Sequence, residues 1–284
     1  VGSYWVDNSH TGGATADAFL VKLDASGNFF SGGSWGASMG SETIRGVDYD
    51  PVTGLVYTTG SFNGTCDLDP SAGVAIRSSV SPYPDTYIQA IDPSNFTLQD
   101  VATFGGDGYE AALNLEVSAA GELYVCGTFD GTTDLDPAPT VESRTARGSA
   151  DVFVVKLSSE LNYVWGAHVE VGLGSTSGMM GLAVDHAGAV YLADQYSAMF
   201  DLDPGPDVVT LPDNSGWDAY LLKLTMNGDF EWARGISAPG DEQSEDVVVA
   251  GERVYWCGAF NGVVDLDTGP GVNNVAPQGV NETF

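Results

Sequence analysis

Four copies of one short acidic segment constrain this chain more than any other feature. Asp67-Leu68-Asp69-Pro70 returns as Asp134-Leu135-Asp136-Pro137 and Asp201-Leu202-Asp203-Pro204, then as Asp265-Leu266-Asp267-Thr268, at steps of 67, 67 and 64 residues. A constant period of this length marks a repeat architecture, whose units bury a core only against their neighbours. Other segments keep the same phase. Asp17 to Leu23 recurs as Asp85 to Ile91, Asp151 to Leu157 and Asp218 to Leu224, and a Tyr-x-x-Gly signature stands at Tyr57, Tyr124 and Tyr255. The period divides the chain into repeats 17–84, 85–150, 151–217 and 218–281. Residues 1–16 read as the tail of a preceding repeat or a donated strand, and 282–284 as the start of a fifth repeat.

Inside a unit the pattern is that of strands. Alternation sends Asp17, Phe19, Val21 and Leu23 to one face and Ala18, Leu20 and Lys22 to the other. Asp24 to Asn28 is a turn, followed by strands over Phe29 to Trp35, Thr43 to Asp48 and Leu55 to Phe62. Asn63-Gly64 is a two-residue hairpin signal, with counterparts at Asp130-Gly131 and Asn261-Gly262. Pro70 ends the short strand that follows, because it has no amide proton to donate. With 37 glycines and only 9 Lys plus Arg, the composition suits short strands and tight turns rather than helices. The expectation is an all-β fold, a β-propeller-like array of four ~67-residue antiparallel blades with junction strands at both termini.

These units resemble the SBBP-type β-propeller repeats of secreted and surface bacterial proteins. The likeness rests on Asp151 to Leu157, Glu122 to Phe129 and Asp201 to Pro206 and extends over nearly the whole chain. It implies a scaffold within large exported proteins and no particular chemistry. Repeat two is the loosest copy, with Ala90 in place of Lys and Ser94-Asn95 in place of Gly-Asn.

A net charge of −30 repels phosphate backbones and anionic headgroups, which argues against nucleic acid and membrane surfaces as partners. No apolar run approaches the ~20 residues of a bilayer span. Cys126 and Cys257 share one repeat position, where small buried side chains are expected.

The aspartate pairs Asp67/Asp69, Asp134/Asp136, Asp201/Asp203 and Asp265/Asp267 are the chemical candidates. Two carboxylates on one strand face repel unless something positive lies between them, and a hard cation with oxygen ligands, Ca²⁺, would meet that need. In the competing reading the first aspartate meets the lysine of the following unit and the second caps the proline turn. Lys22, Lys156 and Lys223 are the only lysines and share one repeat position, as that reading requires.

Enzymatic readings fare worse. Gly32-Gly33-Ser34-Trp35-Gly36 has the letters of a nucleophile elbow without the helix that makes its strained turn. His10, His168 and His186 stand singly. An acid pair repeated in every unit argues for structure, since an active site is generally singular.

Glu282-Thr283-Phe284 aligns with Asp218-Ala219-Tyr220, so both extremities carry the junction segment while a ring of four has room for one. The expected function is therefore an extracellular structural or adhesive repeat protein. It would be a filament subunit joined head to tail with its own copies or with neighbouring repeats. The alternative is a carbohydrate-binding module contacting glycans.

Overall fold

A computed structural model describes residues 16–37, 40–171, 180–198, 201–214, 216–277 and 282–283. The fold is all-β and antiparallel, with no helix among the described residues. In chain order, β1 (Ala18–Leu23) and β2 (Phe29–Trp35) form a two-stranded sheet, and β3 (Thr43–Tyr49) and β4 (Val56–Phe62) open the next. After the small hairpin β5 (Thr65–Asp67) and β6 (Ile76–Ser78), β7 (Asp85–Asp92) returns to β4 and β8 (Thr97–Gly106) completes the order β3-β4-β7-β8.

The scheme recurs. β9 (Glu110–Val117) and β10 (Leu123–Phe129) start a sheet, and the hairpin β11 (Thr132–Asp134) and β12 (Ser143–Thr145) intervenes. β13 (Asp151–Leu157) and β14 (Tyr163–Val169) then complete the order β9-β10-β13-β14. A third sheet holds β15 (Gly181–Val184), β16 (Val190–Tyr196), β17 (Asp218–Leu224) and β18 (Phe230–Ile236). β19 (Glu242–Ala250) and β20 (Arg253–Phe260) begin a fourth, the hairpin β21 (Val264–Asp265) and β22 (Asn274–Val275) follows, and β23 (Glu282–Thr283) pairs with β20.

The strands predicted for the first unit agree with β1 to β4 to within one residue at each end. The Asn63-Gly64 hairpin does not form. Gly64, at φ 75°, turns the chain out of the sheet, and β5 pairs with β6 rather than with β4. Gly131, at φ 63°, does the same in the next unit, where β11 crosses to β8 of the preceding sheet. Glycine takes this backbone without the Cβ penalty, so it marks a corner here as readily as a hairpin.

Consecutive sheets stack face to face. On the second sheet Leu123, Val125, Phe153, Val155 and Leu157 pack toward Tyr57, Ile88 and Ala90 of the first. The alternate residues Tyr124, Cys126, Val152 and Val154 pack toward Leu192, Tyr220 and Leu222 of the third. Burial on both faces explains why β13 is fully buried along its length, and each large apolar side chain so placed contributes ~2 kcal/mol. The first strands of successive sheets meet in series, β3 on β9, β9 on β15 and β15 on β19.

Candidate functional site

The Asp-Leu-Asp segments have one geometry in all four copies. The first aspartate closes the mouth of its hairpin through Oδ1. Asp67 accepts the amides of Asp69 (3.2 Å) and Ala75 (2.8 Å), and Asp134 those of Asp136 (3.1 Å) and Glu142 (2.8 Å). Asp201 accepts from Asp203 and Val209, and Asp265 from Asp267 and Asn273. The second aspartate holds the following turn: Oδ1 of Asp69, Asp136, Asp203 and Asp267 accepts the amide two residues on, from Ser71, Ala138, Gly205 and Gly269. Leu68, Leu135 and Leu202 between them are fully buried.

That leucine anchors a latch. The hairpin of one unit lies on the outer strand of the preceding sheet, with Thr133 opposite Gly106 and Asp134 opposite Gly105, and with single bridges Gly36 to Asp67 and Glu170 to Asp201. The fit is close enough that a Cβ on Gly33 would stand 2.6 Å from the Pro70 carbonyl oxygen. A covered strand end is also a protected one.

The lysines go elsewhere, which corrects half of the ion-pair reading. Lys156 pairs with Glu122 and Lys223 with Glu231, both at 2.8 Å, and Lys22 donates to the Pro93 carbonyl at 3.0 Å. Each ammonium also lies over a ring, of Tyr124, Tyr191 or Phe30. Lys156 and Lys223 therefore brace their own sheets and Lys22 ties its sheet to the next, while the aspartates serve the hairpins. Among the described residues no group of three or more His, Cys, Asp or Glu side chains gathers at these loops. A cation there would share two carboxylates whose Oδ1 atoms already accept backbone amides.

The two extremes of the array differ from its middle. Phe19, Val21 and Leu23 on β1 are 66%, 43% and 55% exposed, whereas their counterparts Phe153, Val155 and Leu157 are fully buried by the preceding sheet. Tyr255 on β20 is 54% exposed while Tyr57 and Tyr124 are fully buried. Cys257, expected to be buried, is exposed for the same reason: the face that the next sheet covers at Cys126 is uncovered at β20. β23 stands where a third strand belongs. Phe260 pairs with Glu282 in the register by which Phe62 pairs with Asp85, Phe129 with Asp151 and Tyr196 with Asp218. The expectations for residues 1–15 lie outside the described residues.

A second acidic feature escaped the sequence reading. Where one sheet meets the next, the aspartate that begins a third strand comes together with the glutamate at or just before the following first strand. Glu110 donates its amide to the Pro84 carbonyl at 2.9 Å, next to Asp85, and Glu242 binds the Trp217 carbonyl, next to Asp218, in the same way. All four side chains are buried. Burial, then the charge of Asp85, pushes Glu110 up to about 8, and burial pushes Asp85 up to about 6. Glu242 rises to about 7 through burial and the charge of Asp218. The signal was a glutamate 25, 25 and 24 residues after Asp17, Asp85 and Asp218; after Asp151 that place holds Thr176. There His168 takes over, with Nε2 2.7 Å from Asp151 Oδ2. Burial would raise the Asp151 carboxyl, but the His168 hydrogen bond and the amides of Arg147 and Val171 hold it below the usual range.

One cleft of about 360 Å³ opens between Trp165, Phe230, Asn227, Asp229 and the Asp203–Pro206 turn. The letters Gly32 to Gly36 lie on and just after β2, in a sheet and not at a strand-to-helix turn. A scan against protein-family models finds no match, and no curated protein matches the chain significantly.

Proposed function

We propose that this chain is a structural repeat protein of the β-propeller type whose copies add head to tail. One observation carries the reading: β20 takes up Glu282-Thr283 in the register that inner third strands use. The edge of β20 is thus competent to receive a strand of the β1 kind, and among the described residues β1 itself pairs only with β2. The sheet faces agree with the edges. The face bearing Phe19, Val21 and Leu23 is the kind that a preceding sheet covers, and the face bearing Tyr255 and Cys257 is the kind that does the covering. A second copy offers both in the right order, a heterologous contact that continues from chain to chain. The acidity fits an extracellular scaffold kept soluble by charge. Negative-stain electron microscopy of the purified chain tests this reading. Rods or short chains of stacked units are expected, and isolated particles at every concentration contradict it.

Carbohydrate binding is the second reading, favoured by the cleft beside Trp165 and Asp203. Its indole N–H, however, donates to the Met226 carbonyl at 3.0 Å, and the ring packs edge-on against Tyr124. That is the behaviour of a packing residue more than of a stacking platform.

A further inference from the structure

At the junction of the first and second four-stranded sheets Asp85 Oδ1 is buried with no hydrogen-bond partner, and the buried oxygens of Glu110 and Thr133 beside it find only each other and the Gly106 amide. Their residues are 2%, 0% and 1% exposed. A buried carboxylate with nothing to bind is costly, and two facing each other are costlier, so native structures supply a partner. The backbone brings the three together. Glu110 is tied through its amide to Pro84, beside Asp85, and Thr133 pairs across to Gly106, whose neighbour Gly105 lies against Asp85. A Cβ on Gly105 would stand 2.3 Å from the Asp85 carboxyl carbon, so glycine keeps the carboxylate's place clear.

We propose that Asp85, Glu110 and Thr133 form a binding site for a hard, oxygen-seeking cation of the Ca²⁺ class. The donor set is all oxygen, anionic and water-poor, the chemistry such an ion selects. The sibling junctions support the assignment. At the Asp151 junction, which lacks the glutamate, His168 provides a side chain able to carry positive charge against the buried aspartate. At the junctions of Asp17 and Asp218 the place of Thr133 is held by Cys66 and Val264, which bring no oxygen. The full donor set therefore occurs at this junction alone among the described residues. The site uses none of the Asp-x-Asp carboxylates, although Thr133 directly precedes Asp134, and it is independent of head-to-tail assembly.

The test is calorimetric titration of the whole chain with Ca²⁺, paired with thermal melting in Ca²⁺ and in chelator. The wild type is expected to bind one Ca²⁺ per chain saturably and to melt higher with it. Glu110→Gln, which keeps shape and removes charge, loses both responses. Thr133→Val, which keeps the acid pair, binds about tenfold more weakly or worse and decides the matter if the glutamine variant fails to fold. Asp203→Asn, in a loop of another unit, retains the wild-type response. Four ions per chain, or loss in Asp203→Asn, would move the ion to the Asp-x-Asp loops and overturn the proposal. So would an unchanged titration in Glu110→Gln or Thr133→Val, or a wild type indifferent to Ca²⁺, which would leave the acid pair sharing a proton.

Discussion

His168 Nε2 lies 2.7 Å from Asp151 Oδ2, and the carboxylate it meets is fully buried. Removing the imidazole leaves that buried carboxylate only the amides of Arg147 and Val171, with no group able to carry positive charge against it. His168→Ala is therefore expected to lower stability by about 3 kcal/mol in urea unfolding, and Asp151→Asn added to it to recover part of the loss. The contribution of the depressed Asp151 is present above its ordinary value of 3.8 and is lost as pH falls through the folded value. A loss under about 0.5 kcal/mol would show that the pair is not a structural one.

Asp194 sets the opposite trend. It occupies the β16 position held by Gly60 and Gly127 in other units, where a Cβ would meet a backbone carbonyl of the first strand at 1.8 and 2.0 Å. β15 begins opposite Ala193, so no β15 residue pairs with Asp194, whose strand partner is Tyr220 on the β17 side, and its fully buried carboxyl meets only the Gln195 amide. Burial pushes its carboxyl up to about 7 from 3.8. A raised acid binds its proton more tightly when folded, so stability falls as pH rises between those values. The melting midpoint should decline from about pH 4 to about pH 7, and Asp194→Asn should flatten part of that decline. A midpoint that rises over this range would contradict the assignment.

The hairpin clamps predict a cost where no ligand is involved. Asp134→Ala leaves the amides of Asp136 and Glu142 without their acceptor and is expected to cost about 2 kcal/mol by urea unfolding. Because β11 latches onto β8, hydrogen exchange should rise at Gly105 and Gly106 as well as in the hairpin itself. Exchange confined to the hairpin would mean that the latch holds nothing.

The period, the all-β class and the limits of β1 to β4 were legible in the sequence because alternation and turn residues are local signals. The phase of the sheets was not. A period says that units recur, but not that β4 and β7 join across the Asp-Leu-Asp hairpin, or that β11 leaves its own sheet for β8. The loop aspartates were found for their spacing, yet their partners are backbone amides that no side-chain pattern announces. Asp85 and Glu110 are 25 residues apart in sequence and meet only because one sheet stacks on the next. Cys257 was misjudged because its exposure depends on a neighbouring sheet rather than on its own strand.

Thiol labelling reads the two kinds of face directly. Cys66 and Cys126 are buried, and burial pushes both thiols up, while Cys257 is exposed on β20. One thiol per chain should react with maleimide under native conditions, and its reaction should slow as the chain associates. Equal reaction of all three would contradict the packing of the β5 hairpin around Cys66 and of the second sheet on the third around Cys126.

The assembly account is tested most directly by the mass of the dissolved chain, followed by light scattering as concentration is raised, for the wild type and for Phe19→Asp. Phe19 is 66% exposed, so the substitution leaves the fold intact while placing a charge on the face a second copy would cover. Head-to-tail addition predicts wild-type masses that climb through multiples of one chain and a variant that stays at one. A wild type that remains a single chain throughout, or a variant that climbs equally, would contradict it.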